Sequence, residues 1–285
     1  MTAVSAVAPI RGRTAPRSAG SAVADGARGW LVGMSCGLAR SLDRAVTVST
    51  YAAAGLLSFD GLQQHMLANW RHFGDHQPEA DVASGLFTWE TTFYLPHLRA
   101  ADHILIVGCG TGRDLVALLQ LGYRTDGLEP VAECAEQARD RLTRRALTAT
   151  VHTADIVTAP FAERFDVFIL SWYCYGYIPQ RSRRIAVLGK LRDRLAPAGR
   201  ILISYILADP PPRRALWRVA SLAARVSRSD WCPEYGDVFM ARHEIGRIHF
   251  EHHFTPGEIE AEAHAAGLRV ASHTQASDGM LALVA

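Results

Sequence analysis

The residues best suited to chemistry lie in the run Ile104-Leu105-Ile106-Val107-Gly108-Cys109-Gly110-Thr111-Gly112-Arg113-Asp114-Leu115. An apolar strand here meets a glycine-rich turn and then a helix. Glycines let the backbone come close to a ligand, and the unpaired N–H groups at a helix start face it. The spacing reads as a cofactor loop. A dinucleotide fingerprint needs a third glycine where Arg113 stands, so the pattern is Gly-x-Gly-x-Gly instead. About 20 residues further on, Leu128-Glu129-Pro130 ends a second apolar run with a carboxylate. In a doubly wound sheet that position offers acceptors to a ribose diol.

These residues need strands to hold them. From Ala101 onward, short apolar or β-branched runs alternate with amphipathic segments, the rhythm of βαβ units in a mostly parallel sheet. The expected strands are 103–107, 124–128, 148–152, 166–170, 200–205, 247–254 and a last region over 269–284. Helices are expected over 113–121, 131–147, 180–195 and 256–266. The chain thus reads as α/β, with a doubly wound, mostly parallel seven-stranded sheet over residues 101–285. Residues 30–100 read as an N-terminal helical cap, and 208–243 as an insertion after the fifth strand. Such long excursions often sit over a ligand site. Residues 1–29, rich in Ala, Ser, Gly, Pro and Arg, read as a disordered leader.

Composition narrows the function. The chain has 285 residues, 49% hydrophobic, with 30 basic and 28 acidic side chains and a formal net charge of +2. That balance lacks the broad positive field of a nucleic-acid binder, so no nucleic-acid partner is expected. Lysine occurs once, at Lys190, which with the abundant alanine suggests a bacterial coding bias and a cytoplasmic protein. The five cysteines form no Cys-x-x-Cys pair, which argues against a disulfide framework or a structural zinc. Arg40, Asp43 and Arg44 interrupt the apolar stretch from Trp30 to Leu57, so no membrane span is expected.

Taken in order, the motifs resemble those of the class I S-adenosylmethionine-dependent methyltransferases, from about Leu86 to the C-terminus. Gly108, Cys109, Gly110, Thr111 and Gly112 resemble the family's first motif, and Glu129 with Pro130 its ribose-binding acid. Asp155 and Ile156 match the pair that holds the adenine. Ser171 and Trp172 match the turn after the fourth strand, facing both cofactor and substrate. Leu195-Ala196-Pro197-Ala198-Gly199-Arg200-Ile201 resembles a further family segment. The resemblance implies S-adenosyl-L-methionine as cofactor. Many members carry an acid two residues before the first glycine, where this chain has Ile106. Contacts to the methionine end then fall to backbone near Gly108 and Ser171, with Trp89, Glu90 and Tyr94 as candidates.

Methyl transfer asks mainly for alignment and exclusion of water, and for a base only if the acceptor arrives protonated. The aromatic run Trp172, Tyr173, Tyr175, Tyr177 leaves the fourth strand at its carboxyl end, where open α/β sheets bind ligands. Tyr173 and Tyr175, with Trp231 and Tyr235 from the insertion, are the expected acceptor-binding residues. The candidates for an acid/base are His243, His249, His252, His253 and Tyr173 or Tyr175, with His253 put forward as the catalytic one. No metal site is expected: on a strand His252 and His253 point to opposite faces, and His249 and His253 stand about 13 Å apart. The expected reaction is methyl transfer to an oxygen or nitrogen of a small-molecule acceptor. A silent cofactor-binding member and a nicotinamide-dependent oxidoreductase are the competing readings.

Overall fold

A computed structural model of the chain describes residues 19–160, 163–275 and 279–285. The chain divides into two compact units between Val46 and Thr47. In the first, the described residues form the leading part of α1 (Ala19–Leu56) and present Trp30, Leu31, Met34 and Leu38 to solvent. Residues 1–18 of the expected leader lie outside the described residues. From Ala19 to Gly29 the chain is helical, a correction to the leader's boundary. Four alanines favour the helix there, and the last proline of the leader is Pro16.

The second unit begins with the end of α1 and continues through α2 (Phe59–His76), α3 (Glu79–Ala83) and α4 (Thr88–Tyr94). Ser58 caps α2, its hydroxyl accepting from the N–H of Gly61 at 3.0 Å. The alternating part follows as β1 (His103–Val107), α5 (Arg113–Gln120), β2 (Arg124–Glu129), α6 (Ala132–Arg144), β3 (Val151–Thr153) and β4 (Phe165–Leu170). Next come α7 (Arg181–Asp193), β5 (Leu195–Tyr205), α8 (Arg214–Ser227), β6 (Asp237–Arg242) and β7 (Arg247–His252). The chain closes with α9 (Glu258–Ala265), β8 (Arg269–Gln275) and β9 (Gly279–Val284).

Seven strands form one sheet in the order β3-β2-β1-β4-β5-β9-β8, parallel from β3 to β5 and antiparallel at β9 and β8. Alternation along each strand divides the core into two layers. Ile104, Ile106, Val167 and Ile169 pack with Leu115, Leu118 and Ala138 of α5 and α6. Leu105, Val107, Phe168 and Leu170 pack with Leu188, Leu191 and Ala263 of α7 and α9.

Two strand assignments differ from the sequence reading. The stretch 247–254 does not join the large sheet: β7 pairs antiparallel with β6 in a separate hairpin. The region 269–284 is two strands, β8 and β9, not one. The reason is local. His243 to Gly246 turns the chain between two runs of hairpin length, and the Ser277-Asp278-Gly279 stretch is a turn signal inside the last region.

The β6–β7 hairpin does not stand alone. Tyr51, Leu62 and Met66 meet Trp231, Phe239 and Phe250 in a third apolar cluster, which joins the end of α1 and α2 to the insertion. The cap is therefore built from two segments far apart in sequence. Among the described residues no helix is long and apolar enough to cross a membrane.

Candidate active site

At the carboxyl ends of β1, β2 and β4 lies a cleft of about 1190 Å³, counted to its open mouth. Its floor is the turn after β1. The N–H groups of Gly108 and Cys109 both donate to the carbonyl of Leu128, at 2.8 and 3.1 Å, which ties the turn to β2. Gly108 has φ +72°, and a Cβ there would run into the Cys174 thiol. Gly110 has φ +53°, and a Cβ there would meet nothing within 4 Å, so its missing side chain leaves room in the cleft.

Glu129 lines the cleft and is nearly buried. Its Oε2 accepts the Gly110 N–H and its Oε1 the Val131 N–H, each at 2.9 Å. A carboxylate offers about four acceptor positions, so two remain for hydroxyls of a ligand. Burial pushes its pKa up to about 7 against the pull of those two backbone bonds. Pro130, Asp155, Ile156, Ser171 and Trp172 line the same cleft, as do Cys109 and Thr111. Burial raises the pKa of both Cys109 and Cys174 and keeps them as neutral thiols, unsuited to nucleophilic work. The open space at Gly110 and the unfilled positions on Glu129 fit a ribose-bearing cofactor.

Behind the turn runs a buried polar chain. Arg113 forks onto both oxygens of Glu90, and its guanidinium also lies 2.6 Å from Asp114 Oδ1. Ser171 donates its hydroxyl to Asp114 Oδ2. Burial, reinforced by the charge of Glu90 and opposed by Arg113, raises Asp114 to about 6. This chain locks α4, the glycine turn and the end of β4 together.

A second chamber opens beside the first and shares Trp70, Phe73, Trp172 and Tyr177 with it. Asn69, Tyr173, Arg242, His249 and Glu251 complete the part of its wall that carries polar groups. Trp172 and Tyr173 adopt φ +41° and +64°, a left-handed conformation that costs a side-chain-bearing residue energy. That conformation sets Trp172 against both cavities and Tyr173 against the second, where Tyr173 stacks on Trp89 at 6.0 Å.

Several expected site residues lie elsewhere. Gly112, at φ +96°, faces Ala138 of α6, where a Cβ would come within 3.1 Å of the alanine Cβ; it serves helix packing rather than the cleft. Tyr175 is fully buried, stacks on Phe254 and donates to Glu262 at 2.7 Å. Trp231 belongs to the cap's apolar cluster and donates its indole N–H to the Leu57 carbonyl. Tyr235 donates to Pro212 O and packs on Trp217. His253 lines neither cavity; its Nε2 lies 2.6 Å from Glu251 Oε1. Trp89, Glu90 and Tyr94 are likewise outside the cleft, because Glu90 is the counter-ion of Arg113 and Tyr94 is core. The turn residue His243 lines neither cavity. Apart from the exposed His243 and from Gly112, which has no side chain, each displaced side chain already has a packing or hydrogen-bonding partner inside the fold.

His252 sits in a different network. Its two nitrogens lie 2.7 Å from Asp237 Oδ1 and 3.0 Å from Glu258 Oε1. With Glu234, Asp237 and His252 bring ligand-type atoms within 4.8 Å of one another, but Glu234 already accepts from the Arg181 N–H and pairs with Arg184 at 3.1 Å. The cluster reads as a buried ion network, joining the hairpin to α7 and α9.

The residues missed by sequence reasoning are Asn69, Trp70, Phe73 and Glu251, whereas His249, one of the expected base candidates, lines the second chamber. The first three lie on α2, and periodicity cannot distinguish a helix facing a cavity from one facing the core. Glu251 carried a usable signal, since period-2 alternation places it with His249 on one side of β7.

A family profile described as a methyltransferase domain matches residues 83–273. Among solved structures, the CcbJ methyltransferase of Streptomyces caelestis superposes with TM-score 0.56 at 13% identity, over 75% of this chain and 95% of that one. DesVI of Streptomyces venezuelae gives 0.53 at 19% identity, over 76% and 96%. The glycopeptide N-methyltransferase MtfA, solved with S-adenosylmethionine, gives 0.51 at 16% identity, over 69% and 92%. None of the curated proteins matches by sequence.

Proposed function

Because the chain belongs to the methyltransferase-domain family, whose methyl donor is S-adenosylmethionine, we propose that it methylates an oxygen or nitrogen of a small-molecule acceptor held in the second chamber. The nicotinamide-dependent alternative falls with that membership. The observation that carries the reading is the shared wall. Trp70, Phe73, Trp172 and Tyr177 border both cavities, so a group held in one abuts a group held in the other.

S-adenosylmethionine, when bound, supplies a methyl made electrophilic by the sulfonium it sits on. The protein's own residues do the rest by placement. Glu129 would receive the ribose hydroxyls, the Gly108–Gly110 backbone would lie against the cofactor, and Asp155 and Ile156 would border the adenine. Ser171, fixed by Asp114, lines the cofactor cleft next to Trp172, which borders both cavities. The aromatic wall excludes water, and holding two reactants in one orientation supplies much of the rate of such a displacement. The concave, mostly apolar chamber supports a small-molecule acceptor over a nucleic acid. The arginine-biased composition supports a bacterial cytoplasmic setting.

The test is incubation of the purified protein with methyl-labelled S-adenosylmethionine and a small-molecule extract, followed by identification of the labelled product. Label in a small organic compound is expected. Retained binding of S-adenosylhomocysteine with no label transferred to any fraction would instead leave a silent cofactor-binding protein.

A further inference from the structure

We propose that the acceptor is an amine, held as its ammonium form between the Glu251 carboxylate and the rings of Trp70 and Tyr177. The inference rests on the methyltransferase reading and narrows it from oxygen or nitrogen to nitrogen.

The first support is the aromatic wall. The rings of Trp70 and Tyr177 lie 4.6 Å apart, and the His249 imidazole sits 5.4 Å from one and 5.7 Å from the other. Tryptophan and tyrosine faces attract cations, most strongly where water is excluded. The second is charge. Glu251 lies between two imidazoles, 3.6 Å from His249 Nε2 and 2.6 Å from His253 Nε2. Burial would favour its neutral form, but those two partners outweigh it and hold the carboxyl near 2, so it is an anion at any physiological pH. Arg242, which also lines the chamber, spends its charge on Glu244 at 2.7 Å.

The third support is hydrogen bonding. Asn69 and His249 are 2% and 7% exposed, yet among the described residues Asn69 Oδ1 and His249 Nδ1 have no hydrogen-bond partner. The asparagine's orientation is set by its Nδ2, which donates to the Ile248 carbonyl at 2.8 Å. Its oxygen can only accept. In the tautomer that places the Nε2–H toward Glu251, 3.6 Å away, Nδ1 is an acceptor as well. A buried acceptor left unpaired is costly, so two such acceptors on residues that line the chamber, beside the Glu251 carboxylate, suit a ligand made of donors. An ammonium group is donor-only and positively charged, and it meets the wall on both counts.

The chemistry balances on these groups. The ammonium gives one proton to His249 Nδ1, which frees the nitrogen lone pair. That pair becomes the new N–CH3 bond as the C–S bond breaks with its electrons retained by sulfur. A neutral thioether results, and the positive charge passes from sulfur to the methylated nitrogen. Glu251 offsets the charge His249 acquires, and His253 extends the chain of ionisable groups beyond it.

The test compares benzylamine, an ammonium at neutral pH, with benzyl alcohol of the same size. Each is titrated by tryptophan fluorescence into full-length protein saturated with S-adenosylhomocysteine, whose own binding is measured first by calorimetry. Benzylamine is expected to bind about tenfold more tightly than the alcohol, the difference disappearing in Glu251→Gln while S-adenosylhomocysteine affinity is unchanged. Equal or weaker binding of the amine by the native protein overturns the proposal, whether or not the variant folds. A folded Glu251→Gln that keeps the full preference overturns it as well. Failure of S-adenosylhomocysteine to bind at all would strike the methyltransferase reading itself, and the amine assignment with it.

Discussion

Arg113 meets Glu90 through two parallel N–H···O contacts of 2.6 Å each, with both side chains sealed from water. The pair fixes α4 to the first turn of α5, directly behind the glycine loop. Glu90→Ala leaves a buried guanidinium without its main counter-charge, a change that typically costs about 3–5 kcal/mol. Denaturant unfolding should show a loss of that order. A loss under about 1 kcal/mol would mean that the pair is dispensable to the fold.

Glu129 should govern cofactor affinity and its pH dependence. Glu129→Ala is expected to weaken S-adenosylhomocysteine binding by about 1–3 kcal/mol, through lost charge-assisted bonds to the diol. Because burial raises this carboxyl to about 7, acidification protonates it and removes an acceptor. The native dissociation constant should rise as pH falls through about 7, and Glu129→Gln should flatten that dependence. Calorimetry at pH values on either side checks both. An unchanged constant in Glu129→Ala would remove the residue from the site.

Two glycines of the loop should fail differently. Gly112→Ala forces a side chain to φ +96° against Ala138, so it should lower stability by about 1–3 kcal/mol. Gly110→Ala meets open space, costs about 1–2 kcal/mol for its left-handed backbone, and intrudes on the cleft. It should weaken S-adenosylhomocysteine by about tenfold or more. Thermal melts read beside calorimetry separate the two effects. Identical profiles for the two variants would contradict the assignment of one glycine to packing and the other to the cleft.

His252 should make the fold sensitive to alkali. Burial disfavours its charge, but the bonds to Asp237 and Glu258 prevail and raise it to about 9, while Glu258 is lowered to about 2. A raised histidine contributes stability that is complete below about pH 6.5 and is lost as pH climbs through about 9. The loss should approach about 3 kcal/mol. Glu258 acts in the opposite direction, contributing above about pH 4.5 and failing as pH drops through about 2. Native protein should therefore lose melting temperature between neutral and alkaline pH more steeply than His252→Gln. Parallel curves would show that the network adds nothing through ionisation.

How far the sequence discloses this molecule follows from the kind of signal each part carries. The glycine turn, Glu129 and the end of β4 are local: a few adjacent residues specify a strand, a turn and a terminus, and their positions in the cleft follow from sheet topology. The acceptor side is not local. Tyr175 and Trp231 have the same character as Tyr177 and Trp70, but Glu262 and the Leu57 carbonyl draw the first two into the interior. Those partners lie 87 and 174 residues away along the chain, beyond any pattern of neighbours. His253 is one alternation from the answer, because it directly follows the strand that carries His249 and Glu251 on one side.

The cap's construction has a kinetic consequence. Phe250 donates its N–H to the Met66 sulfur across 184 residues of intervening chain, and that chain contains the whole glycine turn, Glu129 and most of the sheet. Contacts so distant form late, since closing a long loop is entropically costly and must await what lies between. A chain leaving the ribosome has every element of the nucleoside crevice before it has the hairpin that finishes the acceptor chamber. Donor recognition thus ripens ahead of acceptor recognition. Exchanging the hairpin would retune what is methylated while leaving the cofactor machinery of the sheet in place.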